Sequence, residues 1–265
     1  MLIDLIKKHV ITKVVAIRVL KCSAFVVSFL FSLVFYSAVS ANSLNKVIRV
    51  IDGDTVVLLN EQKVRLLGVN APELGYNGVA HDAGAVSAKR FLKTLVLNKH
   101  VVIEKDMEHK DHYGRTLAHV FLKSGQHINR ELLRQGKAFL NIHPPNLKYS
   151  QRLMEAQSHA ESARRGVWLE KDYRLKLAAH IPNERTKKWG RFSSKIEKVN
   201  VLKKGTKLWL NKEVYIWIGA KNRRYFSPAA KYQGQTIEIR GWPRKWGKFW
   251  SINAIHPSQL LIKIQ

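Results

Sequence analysis

The chain has 265 residues and carries 46 Lys and Arg against 19 Asp and Glu, a formal charge of +27. A surplus of that size points to a polyanionic partner, nucleic acid ahead of anionic membrane or polysaccharide. One cysteine, Cys22, excludes a disulfide framework within the chain and a cysteine zinc site, and the length suffices for about two modest cores.

Residues 1–41 place Lys7, Lys8, Lys13, Arg18 and Lys21 ahead of an apolar run, Ala24 to Val39, that ends in the small residues Ser40 and Ala41. This is the layout of a signal peptide or, uncleaved, of a membrane anchor. Either predicts an exported protein, periplasmic or secreted. The spacing then predicts strands over 47–51, 56–59 and 63–69 and a helix over 81–97 on Ala85, Ala88, Leu92 and Leu95. Strands follow over 101–104 and 117–122, then a short helix over 128–135 stopped by Gly136 and a longer one over 147–165 stopped by Gly166. Periodicity lapses over 176–190, which reads as a linker between a unit at 42–175 and a second at 191–265. Five short strands in the second unit (195–199, 207–210, 214–218, 235–242 and 249–252), with one helical turn at 228–232, fit a small oligonucleotide-binding (OB) type barrel or a sandwich. Charge divides unevenly: residues 42–181 hold 22 basic and 14 acidic side chains, residues 182–265 hold 19 and 4.

Three segments carry the candidate chemistry. Asp52-Gly53-Asp54-Thr55 falls in a turn between strands, where Asp-Gly signals a hairpin. Two carboxylates flanking a glycine also suit a hard cation, which takes several oxygens in irregular geometry. In Arg65-Leu66-Leu67-Gly68-Val69-Asn70-Ala71-Pro72-Glu73 the proline ends any regular ladder, so an arginine, an amide and a carboxylate converge near one strand terminus. In Asp111-His112-Tyr113-Gly114-Arg115, a turn feeding a strand, Arg115 offers a planar fork of donors to a phosphate. Singly, each segment also reads as an ordinary turn or a solvated ion pair. His109, His112 and His119 lack the helical spacing of a zinc protease and read as surface polar residues.

Together and in this order, the three segments resemble the staphylococcal-type thermonuclease family, from about Leu44 to Trp168. The resemblance implies an OB-fold β-barrel of five strands with three helices, and calcium-dependent hydrolysis of DNA or RNA. It implies Arg65 and Arg115 as catalytic arginines, Glu73 as general base, Asp54 as a calcium ligand and Asp52 as the outer acidic residue. Asn70 and Ala71 fall at the remaining metal positions, and Tyr113 falls beside the substrate. The family has aspartate where this chain has Asn70; the amide keeps an oxygen but removes a negative charge, which predicts weaker calcium binding. Residues 138–146 lack the tyrosines that help the family hold phosphate and base, so part of the grip on substrate is expected elsewhere.

The second unit is the place for it. Residues 182–265 hold six of the seven tryptophans, and Trp242, Arg244, Lys245 and Trp246, like Arg223 and Arg224 before Tyr225, interleave aromatic with basic groups. Such alternation suits base stacking beside backbone neutralisation; Trp209 and Trp217, inside strand-like runs, are read instead as filling a small core. The whole is read as a mainly β protein with helices, an SNase-like barrel followed by a smaller OB-like one, acting as an exported calcium-dependent endonuclease on DNA or RNA. No obligate protein partner is implied, and membrane contact comes only through the leader. The alternative is an exported nucleic-acid binder with a degenerate metal site: intact Arg65, Glu73 and Arg115 favour the enzyme, Asn70 the binder.

Overall fold

A computed structural model describes residues 45–183 and 188–263, so the leader at 1–41 lies outside the described residues. The protein is mainly β with a few helices. Strands β1 (Val47–Val50), β2 (Thr55–Leu58) and β3 (Lys63–Leu66) form an antiparallel meander; β3 pairs in parallel with β6 (Thr116–Leu122), and β6 pairs antiparallel with β5 (Val101–Glu104). Among the described residues no ladder closes this sheet into the expected barrel; its edges meet at an isolated bridge, Lys46 to His100, and through a few backbone hydrogen bonds such as Asn98 N–H to Val47 O.

The predicted strand over 63–69 divides in two. Gly68 takes φ +74°, and a Cβ there would lie 2.4 Å from the Leu153 side chain, so the chain turns at a position only glycine fits. β4 (Gly68–Asn70) leaves the main sheet and pairs with β7 (Phe139–Asn141). That departure carries Asn70 and Ala71 away from the ladder and toward the β1–β2 turn.

Three helices pack on the sheet: α1 (Ala85–Val96), α2 (Ile128–Arg134) and α3 (Ser150–Ser162). Helix α1 buries Ala85, Ala88, Leu92 and Val96, and α3 buries Leu153, Ala156, Gln157 and Ala160, the one-sided spacing that burial of a helix face requires. Gly136 and Gly166, the two predicted helix stops, have φ +60° and +55°, and the backbones pass so close that a Cβ would lie 2.1 Å from the Arg165 carbonyl oxygen at Gly136 and 2.1 Å from the Gly136 carbonyl oxygen at Gly166. They clamp the ends of α2 and α3 together.

The second unit holds β8 (Leu175–Leu177), β9 (Gly190–Lys195), β10 (Lys198–Leu202), β11 (Gly205–Trp209), β12 (Val214–Gly219), β13 (Thr236–Gly241), β14 (Pro243–Trp246), β15 (Phe249–Asn253) and β16 (Leu260–Ile262). They make two open sheets, β10-β11-β12-β15-β14 and β16-β13-β9-β8, around one apolar core. The predicted strand over 195–199 breaks because the chain changes sheets there: the Ile196 N–H donates to Gln235 O and the next, Glu197 N–H, to Trp209 O. Pro243, Arg244 and Lys245 lie in strand β14, and the turn comes after it, at Gly247 with φ +59°.

The stretch at 176–190, read as a linker, is anchored. Trp189 is buried and stacks on Phe139 of β7 with centroids 3.9 Å apart, and Lys188 pairs with Asp82. The described part of this stretch is also regular, with the end of β8 and a 3-10 helix over Ala178–Asn183. A second tie joins the units at Glu238, which is fully buried. It accepts from Arg191 Nε at 2.7 Å, Arg240 Nε at 2.6 Å and Lys263 Nζ at 2.8 Å, while both arginines also reach Glu161 on α3 and lie over the Trp168 ring. Burial pushes Glu238 up, but the Arg191 hydrogen bond and the charges of Arg240 and Lys263 outweigh it and hold its pKa at about 2.

His119 corrects one expectation: it is buried on β6, not at the surface, because His127 and Tyr149 cover the strand face opposite the core residues Ala118 and Val120. Its Nδ1 lies 3.3 Å from His127 Nε2, in an aromatic group with Phe121 and Tyr149. Burial lowers the pKa of His119 to about 4 and of His127 to about 3; His119 itself, Arg130 and Arg152 add to the effect on His127, while Glu104 and Asp106 oppose it on His119. Both are neutral when folded and would protonate near 6.5 when unfolded, so the unfolded state takes up more protons as pH falls from about 6.5 to 4, and stability is lost over that window. Asp54, described below, titrates there with the opposite sign, so the signal is a difference. The unaltered chain is expected to lose on the order of 2 to 3 kcal/mol more than His127→Gln between those limits. Urea unfolding of both chains at each pH checks this, and equal losses would overturn it.

Candidate active site

The site grows from the turn between β1 and β2. Ile51 N–H donates to Thr55 O and closes it. Gly53 is there for close approach rather than for a left-handed turn: a Cβ would lie 2.4 Å from the Ala71 Cβ and 2.7 Å from the Ala88 Cβ. The turn therefore tucks against both the segment after β4 and helix α1. This brings Asp54 to Ala71, whose N–H donates to Asp54 Oδ2 at 2.7 Å, while Asp52 Oδ1 accepts from the Asp54 N–H at 3.0 Å.

Arg65, on β3, closes the group. Its Nη2 lies 3.1 Å from Asp54 Oδ2 and donates to Asn70 Oδ1 at 2.9 Å, and its Nη1 donates to the carbonyls of Leu66 and Val69. A guanidinium fixed by four acceptors has little rotamer freedom left to lose when it meets an anion. Asp54 is buried, and desolvation lifts its pKa to about 6 although Arg65 pulls downward; Asp52 adds to the rise. It is a carboxylate short of positive charge.

Glu73 follows Pro72 and remains open to solvent, its backbone held by Asp82 through Glu73 N–H to Asp82 Oδ2 at 3.2 Å and Asp82 N–H to Glu73 O at 2.9 Å. Desolvation and the Asp52 and Asp82 carboxylates raise its pKa above the ordinary glutamate value, while Arg65 and Arg115 pull it down. Two carboxylates and two arginines thus act on Glu73 across a single site. Arg115 is aimed by Asp111: Nε donates to Asp111 Oδ2 at 2.7 Å, and the same side chain accepts from the Tyr113 and Arg115 N–H groups. Among the described residues the two terminal nitrogens of Arg115 make no hydrogen bond. Tyr113, 73% exposed, lies beneath the Arg115 guanidinium at 5.4 Å.

The residues assigned to a metal come together in part. Among the described residues no three His, Cys, Asp or Glu side chains gather as a metal cluster. Asp52 and Asp54 stand together in the β1–β2 turn, and the buried, desolvated Asp54 carboxylate suits a hard cation such as Ca2+, although the Ala71 N–H rather than its carbonyl is turned to it. Asn70 gives less than an aspartate would, since its Oδ1 is occupied by Arg65 and its Nδ2 donates to Ala71 O at 3.1 Å.

The residues assigned to substrate in the second unit separate. Trp242, Arg244 and Trp246 line one cleft. Arg223 is spent on structure, its guanidinium donating to the carbonyls of Leu202 and Gly205 in the β10–β11 turn. Arg224 lies over the Tyr225 ring and donates to its hydroxyl, and with Arg223 it borders a different pocket. Lys245 points away from both, because neighbours along a strand alternate faces. Asn141 and His143, which the sequence did not single out, border the first cleft from the side of the active site. The only sequence signal for them was the lack of tyrosines over residues 138–146.

The family model described as staphylococcal nuclease homologue matches residues 63–170. A thermonuclease of Staphylococcus hyicus is 36% identical over 126 residues, 46% of this chain and 74% of that protein. A thermonuclease of Staphylococcus intermedius is 37% identical over 123 residues, 45% of this chain and 73% of that protein. An endonuclease of Bacillus subtilis (strain 168) is 33% identical over 137 residues, 47% of this chain and 11% of that protein. Kinship of this extent, on a site with this geometry, makes the chain a phosphodiester-hydrolysing nuclease by class. It belongs to the staphylococcal nuclease homologue family. The matched residues end before β8, so the second unit lies outside the family model.

Proposed function

We propose that the protein is an exported calcium-dependent endonuclease that cleaves DNA or RNA by attack of water on phosphorus. The observation that carries the reading is Arg65 held by Asp54 and Asn70 beside the β1–β2 turn, with the charges of Arg65 and Arg115 both acting on Glu73. Arg65, held rigid, and Arg115, with its fork free, would bind equatorial phosphate oxygens and favour the charge-rich transition state over the bound substrate. Glu73, open to solvent and raised in pKa, would orient a water and accept its proton. Asp52 and Asp54 would hold calcium, which supplies Lewis-acid polarisation of a phosphate oxygen when bound. The layout of residues 1–41 supports export, and the strand-rich second unit supports a reading of two OB-like modules, one catalytic and one for binding.

A non-catalytic binder remains the second reading, favoured by the Asn70 amide turned to Arg65 rather than left as a metal ligand. Digestion of plasmid and of single-stranded DNA by the full chain separates the two. Cleavage in calcium that stops in chelator is the expected result, and no cleavage at any calcium level would decide for the binder. Asn70→Asp is expected to lower the calcium concentration for half-maximal rate by about tenfold, the effect of restoring one anionic ligand; an unchanged value would remove Asn70 from the metal site.

A further inference from the structure

We propose that the cleft between β7 and the β12–β15–β14 face of the second unit seats single-stranded nucleic acid flanking the scissile phosphate. Bases would stack on Trp217, Trp242 and Trp246, and phosphates would meet Lys204, Lys207 and Arg244. Its direction, running out from the active site, rests on the phosphodiesterase reading; the cleft itself does not.

The cleft measures about 1020 Å3, and no acidic side chain lines it. Three cations and five aromatic rings, with Tyr215 and Phe249 completing the five, make a lining that repels nothing anionic and offers flat faces throughout. One indole is held as a platform and another is presented to solvent. Trp217 lies flat on the backbone of Gly205, where a Cβ would be 2.3 Å from the ring, so only glycine at that position leaves the indole in place. Trp246, at the end of β14, is 77% exposed, an arrangement that burial of apolar area alone would not select. Lys207 is fixed over the rings of Tyr215 at 4.6 Å and Trp209 at 5.3 Å, so a charge stands beside the stacking surface.

One wall of the cleft adjoins the segment that leads into the catalytic group. That wall, on the first unit, is Asn141 and His143, linked by a 2.9 Å contact between Asn141 Oδ1 and His143 Nε2. Asn141 is the ladder partner of Gly68, two residues before Asn70, and the charge of Arg65 is felt at His143. A strand whose scissile phosphate lay at Arg65 and Arg115 would run past these two residues onto the tryptophans. Aromatic faces reward unpaired bases, whereas a duplex keeps its bases stacked within itself and offers phosphates alone. The second unit therefore adds to the nuclease a holding site for one strand.

The test is fluorescence anisotropy of the full chain, in chelator, with labelled oligothymidylate of about 12 nucleotides, a length within the range of small single-strand-binding modules, and with a duplex of equal length. Trp246→Ala is expected to raise the Kd for the single strand about tenfold, the loss of one stacked base, to leave duplex binding within about twofold, and to leave thermal unfolding unchanged. Trp246→Phe should recover most of the loss. The double variant Lys204→Ala/Lys207→Ala should flatten the dependence of log Kd on log salt by about 1.4 for the single strand. Unchanged single-strand affinity in Trp246→Ala, or equal losses for both probes, would overturn the cleft. A chain that binds in this Trp246-dependent way yet cleaves nothing in calcium upholds the cleft and removes the phosphodiesterase reading.

Discussion

Glu73→Gln is expected to lower turnover of single-stranded DNA by about 10² to 10⁴, the range for losing a positioned general base, with little change in substrate affinity. Glutamine keeps the size of the side chain and can still orient a water, but it cannot take the proton. The affinity should hold because no phosphate donor is lost: Arg65 keeps its four acceptors and Arg115 keeps Asp111. The fold should hold as well, because the side chain is solvent-exposed and the loop is fixed by backbone hydrogen bonds to Asp82. Removing this carboxylate relieves the crowding of Asp52 and Asp82, so the variant should be no less stable than the unaltered chain. Single-turnover rates with calcium saturating decide it. A variant within about threefold of the unaltered rate would exclude Glu73 as the base, well outside what Brønsted behaviour permits.

Arg65→Ala should combine two losses. Turnover is expected to fall about 10² to 10³, the effect of deleting one preorganised donor to a developing charge. Stability should fall as well, by about 3 kcal/mol, because the substitution breaks a buried pair and strands its partner. The Asp54 carboxylate would be left buried without its cation, and the carbonyls of Leu66 and Val69 would lose their donor. The two losses can be parted. Adding Asp54→Asn to Arg65→Ala removes the stranded charge, so the double variant should regain stability but not activity. Thermal unfolding and single-turnover rates of the unaltered chain and the three variants close the cycle. Additive stabilities would mean that the two side chains do not act as a pair; because Asp54→Asn also removes a proposed calcium ligand, the part of Arg65 in turnover is read from Arg65→Ala alone, and an unchanged rate there would exclude it.

Much of the first unit was legible along the chain. Ala85, Ala88 and Leu92 announce α1, and Gly136 and Gly166 stop α2 and α3 where left-handed backbone and close approach leave room for nothing larger. The site was legible as three short segments whose residue types suit one phosphate. Their convergence was not, because it depends on Gly68 turning β4 out of the sheet and on Gly53 letting a turn settle against Ala71. Neither glycine differs in sequence from one in an ordinary loop. The second unit was harder. Its alternation of basic and aromatic residues was visible, yet Arg223 proves to be tied to carbonyls, Lys245 faces away, and Lys204 and Lys207, unremarked among so many lysines, join the cleft.

Residue chemistry and local periodicity were determined by the sequence itself: the excess of cations, the paired carboxylates, the arginines at strand ends, and the faces of helices that must be buried. These depend on neighbours a few positions apart, and the chain carries that information directly. Which arginine is free and which is spent, that His119 is buried beside His127, and that Asn141 and His143 share a wall with tryptophans about a hundred residues later were decided only by the tertiary structure. Such facts depend on which strand pairs with which, and strand pairing across long separations follows from burying two cores at once rather than from any local pattern.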